Sequence, residues 1–307
     1  MRALRLMLLT VLACLCSTSL AELSADSLPP NTKWYLHADL EALRRADSGK
    51  PLYDWLDGEV FVEIHEEVGI DLNKEANSLT AFADADLGTI VIVEGPIAKE
   101  SRDKLLALAA ADASLDMLKH DGKTYYHVSE SGAPRTGHGS LDDLQESAYF
   151  TFDLKDKVVV ASAESQIKAM LDSGGRLPGN HGHPGALFVL TADRSFVQAG
   201  VRTGELDEDD DWDSNILRNT EQFSILVSGQ ETLLAVEAQL VSREPDMARS
   251  LGDIANGLLS LQTLNSDLDP ELRELLKSTR VKVEDKVLSV NLVLDANRIV
   301  AMLDDQQ

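Results

Sequence analysis

The densest group of possible metal ligands is an acidic run in the second half of the chain. Asp207, Asp209 and Asp211 have the spacing of the first three ligands of a calcium-binding loop. The pattern then breaks down, because Trp212 stands where the loop needs glycine and Arg218 where it needs a bidentate glutamate. We interpret the run as a solvated acidic loop that would bind Ca²⁺ only weakly.

Two histidines form a second possible metal site. His181 and His183 lie in a stretch rich in glycine and proline, 174–185, and His138 lies in another glycine-rich stretch. A His-x-His pair can bind zinc or copper when rigid partners complete the site. A flexible stretch does not supply such partners, so we interpret 174–185 as a linker that binds these metals only weakly.

His65 comes nearest to a metalloprotease motif. That motif needs a second histidine four residues later on the same helical face, and position 69 is glycine. Val60, Ile64 and Val68 instead form an apolar stripe at helical spacing. The pattern predicts an ordinary helix with His65 beside its buried face.

Other catalytic signatures are missing from the sequence. It contains no Gly-x-Ser-x-Gly, no Walker loop and no Gly-x-Gly-x-x-Gly. With 52 Asp and Glu residues, any pair of carboxylates chosen for glycosidase chemistry would be arbitrary. We therefore predict no catalytic residue and no cofactor, and we keep the Asp and His residues named above only as weak metal candidates.

The charge of the chain excludes nucleic acid as a partner and disfavours an anionic membrane surface. Its 307 residues carry a formal net charge of −24. Asp and Glu in this excess repel the phosphates of nucleic acid and anionic membrane surfaces. Apolar residues make up 44%, enough for a sizeable core.

Residues 1–21 are typical of a secretory signal. Arg2 and Arg5 precede a short apolar run, and Ser19 and Ala21 are the small residues that a signal peptidase recognises. The run is too short to cross a bilayer, so we expect no stable transmembrane anchor. Cleavage near Ala21 predicts a periplasmic or secreted protein.

The signal also contains both cysteines of the chain, Cys14 and Cys16, so the cleaved protein would have no disulfide and no thiol. One alternative is open. Val11-Leu12-Ala13-Cys14 loosely resembles a lipobox, which would make Cys14 the lipidated first residue.

Similar segments recur in the same order in two halves of the chain. Residues 34–39 match 188–193, 89–94 match 233–238, 156–160 match 285–289, and 167–172 match 299–304. We expect an internal duplication. The predicted organisation is a signal at 1–21, a tether at 22–30, a first half at 31–173, a linker at 174–185 and a second half at 186–307.

Periodicity predicts the elements of both halves. Strands are expected at 33–38, 79–84, 89–94, 123–128, 148–153, 157–162, 223–228, 232–240, 279–284 and 287–294. Helices are expected at 101–113, 164–171 and 245–262 and at the C-terminus, and Asp39, Asp193 and Asp295 are placed to cap helices. This order predicts an α+β fold in which each half is a mostly antiparallel sheet with helices on one face.

With these elements, the chain resembles exported bacterial proteins of an uncharacterised, domain-of-unknown-function type. The resemblance rests on Leu28-Pro29-Pro30, on Ala38-Asp39 at the end of the first strand, and on Gly69-Ile70-Asp71-Leu72 with Ser78-Leu79-Thr80. It implies a periplasmic location and a duplicated α+β fold, and it carries no catalytic residue.

The leading hypothesis is a non-enzymatic exported module that binds an envelope protein or a small ligand, with a cleft between the halves as the natural binding place. Two alternatives remain open. One is a hydrolase that uses carboxylates, with or without a metal, and the other is a carrier of an apolar ligand such as lipid.

The signal generates the first prediction. Protein recovered from the envelope or medium of an expressing bacterium is expected to begin at Glu22, because Ala21 completes the cleavage site. N-terminal sequencing and intact mass measure this. A lipid-modified N-terminus at Cys14 would contradict it.

Overall fold

A computed structural model describes residues 28–29, 31–68, 71–84, 88–112, 114–129, 147–177, 185–196, 219–264 and 270–304. The strands are β1 (Thr32–Asp39), β2 (Ser78–Asp84), β3 (Gly88–Glu94), β4 (Ser114–His120), β5 (Lys123–Ser129), β6 (Ser147–Leu154), β7 (Lys157–Ala161), β8 (Ala186–Asp193), β9 (Thr220–Gln230), β10 (Leu233–Ser242), β11 (Arg280–Glu284) and β12 (Val287–Leu294). The helices are α1 (Leu40–Arg45), α2 (Lys50–Leu56), a π-helical segment (Asp57–Phe61), α3 (Val62–Val68), α4 (Leu72–Glu75), α5 (Lys99–Asp112), α6 (Glu164–Asp172), α7 (Pro245–Leu264), α8 (Pro270–Ser278) and α9 (Ala296–Asp304).

The twelve strands form one sheet in the order β11-β12-β10-β9-β8-β1-β2-β3-β7-β6-β5-β4. Every neighbouring pair is antiparallel. The predicted α+β class with an antiparallel sheet is confirmed. The two halves do not form separate sheets, because β1 pairs with β8 and joins them at the centre.

Aspartates lie at tight turns of the sheet, where the chain reverses direction between paired strands. Asp121 and Gly122 form the two-residue turn between β4 and β5, with φ values of 47° and 81°. Asp285, with φ of 51°, begins the turn between β11 and β12. Aspartate tolerates this left-handed region better than most residues, which suits it to tight hairpins.

The predicted helix caps are present in the structure. The carboxylate of Asp39 accepts from a backbone N–H of α1 at 2.8 Å. Asp193 does the same for the helical turn that follows β8, at 3.0 Å, and Asp295 for α9, at 2.8 Å. Each aspartate satisfies a donor that the first turn of a helix leaves free.

Helices lie on both faces of the sheet, which corrects the expectation of one helical face. Val158 packs in a cluster with Leu105 of α5, whereas the next residue, Val159, packs with Ile167 of α6. Successive strand residues point to opposite faces, so α5 and α6 cover opposite sides. Each helix therefore packs on the face of the sheet that carries its own set of alternate strand residues, Val158 for α5 and Val159 for α6.

The matched segments occupy matching places in the order of the strands. Counted outward from the β1–β8 pair, β3 and β10 are each third in their half, and β7 and β12 are each fourth. The side chains do not follow this symmetry. Ile92 and Ile167 belong to the core under α6, whereas their matched residues Val236 and Ile299 belong to the core under α1, α2 and α9. The duplication itself remains a prediction.

A buried carboxylate joins α4 to the start of α5. Glu75 accepts from the backbone N–H of Ala98 at 2.8 Å and from the hydroxyl of Ser101 at 2.7 Å. The chain passes so close here that a Cβ on Gly95 would lie 2.1 Å from the Glu75 carbonyl oxygen. Glu75 thus positions α5 on the sheet.

We expect Glu75→Ala to lower the free energy of unfolding by about 2–3 kcal/mol, because it removes two hydrogen bonds to a charged acceptor and leaves buried donors unpaired. Urea denaturation measures the change. The exposed Glu66 of α3 provides the matched control, for which alanine should cost less than about 0.5 kcal/mol. Equal losses in the two variants would contradict the role given to Glu75.

Candidate functional site

The weak metal candidates of the sequence lie outside the described residues. This applies to Asp207, Asp209 and Asp211 of the acidic run and to His181 and His183 of the linker. Their capacity to bind a metal stays a prediction.

His65 lies on α3, as the pattern predicts, but its side chain is exposed rather than beside the buried face. Among the residues that the structure describes, the group of three possible metal ligands that comes together is His120, Asp121 and Asp172. Sequence reasoning missed this group, since Asp172 lies 52 positions from His120 and only the fold brings them together.

An open cleft of about 490 Å³ lies between α2 and α9. Its lining is mixed in character and comprises Asp47, Lys50, Pro51, Asp54, Trp55, Asn297 and Val300. The indole N–H of Trp55 donates to Asp304 at 2.8 Å, which ties the two helices together. The cleft therefore lies where an early helix of the chain meets the last one.

The C-terminal part of α7 presents an apolar stripe to solvent. Ile254, Leu258, Leu261 and Leu264 are 38%, 55%, 67% and 81% exposed. The first three follow one another at spacings of four and three residues, so they share one side of the helix. Residues 254–264 include no charged side chain in a chain that is 26% charged. We call these four residues the α7 stripe.

Three of the four polar side chains among residues 254–264 form hydrogen bonds with their own helix. Asn256 donates to the carbonyl oxygen of Gly252 at 3.0 Å, Ser260 to that of Asn256 at 2.7 Å, and Thr263 to that of Ser260 at 2.8 Å. Their hydrogen-bonding capacity is thus partly used within the helix. The surface around the α7 stripe is correspondingly less polar than its composition indicates.

The opposite side of α7 is fixed to the sheet. Ala248, Leu251 and Gly252 are buried, and a Cβ on Gly252 would lie 2.4 Å from the side chain of Val283. This close approach needs glycine, because any side chain would push α7 away from β11. The α7 stripe therefore projects from a helix with a fixed orientation.

Titratable groups on the face of the sheet that α6 covers have pKa values shifted by burial. Burial lowers the pKa of His37, and the carboxylates of Asp39 and Glu94 partly oppose this. The Nδ1 atom of the His37 ring forms a hydrogen bond with the hydroxyl oxygen of Thr80, 2.8 Å away. Burial, with a smaller effect from Glu94, raises the pKa of Tyr35 to about 12.

A phenol, a carboxylate and an ammonium group meet where β5 passes under α6. Tyr125 donates to Glu164 at 2.5 Å, and the Lys168 ammonium lies 3.0 Å from the same carboxylate oxygen. The hydrogen bonds from Tyr125 and then Lys168 lower the pKa of Glu164. A carboxylate with a lowered pKa is a poor proton acceptor, so this group fastens α6 to the sheet rather than preparing a general base.

No family model matches the chain, and no curated protein matches it either. Its fold is similar to that of TP0453, a Treponema protein. One crystal form of TP0453 covers 91% of this chain and 95% of its own, with a TM-score of 0.50 and 11% identity. Another covers 93% and 99%, with a TM-score of 0.48 and 11% identity. At this identity the likeness concerns the fold alone.

Within the described residues, no helix combines the length and apolar character that crossing a bilayer requires. This includes α7, whose stripe occupies only one side.

His37 generates a prediction on the pH dependence of stability. Its pKa is lower in the folded protein than its ordinary value of 6.5, so the unfolded chain binds the proton more readily. The contribution of neutral His37 to the free energy of unfolding is therefore complete above pH 6.5. It is lost as the pH falls toward the pKa of His37 in the folded protein, by at most about 1.4 kcal/mol per pH unit.

We therefore expect the free energy of unfolding to decrease less between pH 7.5 and pH 5 in His37→Asn than in the wild-type protein. Urea denaturation across this range measures the slope. His65→Asn, at an exposed histidine, should keep the original slope. A slope that His37→Asn leaves unchanged would refute the assignment.

Proposed function

We propose that this protein is a non-enzymatic exported binding module, and that the α7 stripe docks a second protein of neutral or basic character. The observation that carries the proposal is four large apolar side chains, exposed together on a helix segment without charge. Apolar side chains exposed singly are ordinary, but a contiguous group of them is typical of an interaction surface.

The size of the α7 stripe favours a single element of the partner. From Ile254 to Leu264 the helix rises about 15 Å, at 1.5 Å per residue. Anchors at i, i+4 and i+7 along such a helix are how an amphipathic helix enters an apolar groove. The partner is expected to supply that groove and to cover the side of α7 that the sheet leaves exposed.

The charge of the chain favours a different protein over other occupants. A second copy would bring the same large excess of Asp and Glu, and an anionic membrane surface would also be repelled. A neutral or basic partner meets no such repulsion. The signal pattern of residues 1–21 supports export, so the expected partner is a protein of the envelope or the extracellular medium.

Binding rather than catalysis is supported by the sequence. It contains no Gly-x-Ser-x-Gly, no Walker loop and no Gly-x-Gly-x-x-Gly. The α7 stripe itself offers no proton donor, nucleophile or metal ligand to a substrate, because its four side chains are Ile and Leu. Its chemistry suits recognition by burial of apolar surface.

The proposal predicts where a partner can be cross-linked. A photo-reactive amino acid at position 261 should give one discrete adduct with an envelope protein in producing cells, whereas the same group at exposed Asp253 of α7 should not. The adduct should disappear with Leu258→Asp. The identified protein, once purified, should bind the unchanged chain and lose about tenfold or more in affinity with Leu258→Asp, because a buried leucine contributes about 1.5–3 kcal/mol.

Leu108→Asp serves as the matched control, since Leu108 of α5 is 38% exposed and lies outside the α7 stripe. It should leave both the adduct and the affinity unchanged, with circular dichroism confirming that all variants are folded. An adduct of the chain with itself or with lipid, or equal adducts from positions 261 and 253, would overturn the proposal.

A further inference from the structure

Three potential metal ligands converge where the β4–β5 hairpin meets the end of α6. His120 is the last residue of β4, Asp121 is the first residue of the turn, and Asp172 is the last residue of α6. One ligand atom from each lies within 4.8 Å of the other two. The His120 Nε2 and Asp172 Oδ1 atoms are 2.8 Å apart.

Of the elements that carry these residues, α6 is packed in the core and β4 is held by its pairing with β5. Ile167, Met170 and Leu171 anchor α6 in the core cluster that contains Val159, and they are almost completely buried. The short turn between β4 and β5 fixes Asp121 beside His120. Ligands on such supports are positioned more firmly than ligands on long loops.

The end of α6 also favours a positive charge. The last carbonyl groups of a helix carry partial negative charge, and α6 ends at Asp172. The Lys123 ammonium donates to the carbonyl oxygen of Leu171, so one cation already uses this end of the helix. The carboxylates of Asp121 and Asp172 together balance the charge of a divalent ion.

We propose that His120, Asp121 and Asp172 bind a divalent transition-metal ion of the zinc type. An imidazole nitrogen with two carboxylate oxygens is a ligand set that Zn²⁺ accepts, and a water molecule would complete four-coordination. Ca²⁺ is a poorer fit, since it takes six to eight oxygen ligands. Zinc would replace the hydrogen bond between His120 and Asp172. At metal–ligand distances of about 2.0–2.2 Å, the distance between His120 Nε2 and Asp172 Oδ1 would increase by about half an ångström.

This inference is independent of the proposed function. The metal would link the β4–β5 hairpin at one edge of the sheet to the end of α6, which packs on one face of that sheet. The α7 stripe belongs to the other half of the chain, so loss of zinc binding would leave partner binding unaffected.

Isothermal titration calorimetry of the purified, chelator-treated protein with Zn²⁺ tests the proposal. We expect one site that His120→Ala and Asp172→Asn each weaken by at least about tenfold, since even residues that only support metal ligands contribute that much. His181→Ala with His183→Ala is the matched control, because it removes the other histidine pair from the chain. NMR of the ring nitrogens should show Zn²⁺ at Nε2 of His120.

Thermal unfolding without metal establishes that each variant is folded, and Asp121→Asn provides a conservative third variant. Zinc binding that survives both His120→Ala and Asp172→Asn would overturn the proposal. So would binding lost only with the His181 and His183 substitutions, or the absence of any binding at micromolar Zn²⁺.

Discussion

The antiparallel pairing of β1 with β8 is the interaction on which the rest of the structure depends. Trp34 to Ala38 pair with Phe188 to Ala192 in continuous register, and neither strand is at an edge. The backbone groups of both strands are therefore satisfied on both sides. This pairing converts two strand-rich halves into one sheet, and it fixes where every outer strand and every helix can pack.

Alternation along the strands then distributes the core between two faces. Val158 and Val159 are neighbours in sequence, yet one supports α5 and the other α6. The same rule separates the matched residues Ile92 and Val236, because a shift of one residue moves a side chain to the opposite face. Similar segments can thus occupy equivalent strands while facing different neighbours.

Much of the fold was predictable, because many of its strands have alternating apolar residues and several of its helices begin at an aspartate with a clear capping role. Asp39, Asp193 and Asp295 are examples in which local chemistry determines local structure. The strand β4 was missed, since Ser114–His120 is exposed along much of its length and has no strong apolar pattern. The helix α8 was missed as well, because its charged residues obscure a short amphipathic pattern.

The candidate sites were less predictable, for a physical reason. Leu258 and Leu261 look like core residues in the sequence, and only the position of α7 on the sheet leaves them exposed. His120 and Asp172 meet through tertiary structure alone. The metal candidates that spacing did suggest, Asp207 and His181 among them, lie outside the described residues.

The two ends of the sheet have a consequence for how molecules of this protein meet one another. An open sheet ends in strands whose outer backbone groups are unpaired, and such edges invite strand addition and aggregation. Here β11 alternates Arg280, Lys282 and Glu284 with valines, and β4 carries Asp116 and Lys119. Charged side chains along both terminal strands disfavour growth of the sheet from one molecule into the next, so a twelve-stranded sheet can remain a single finite unit.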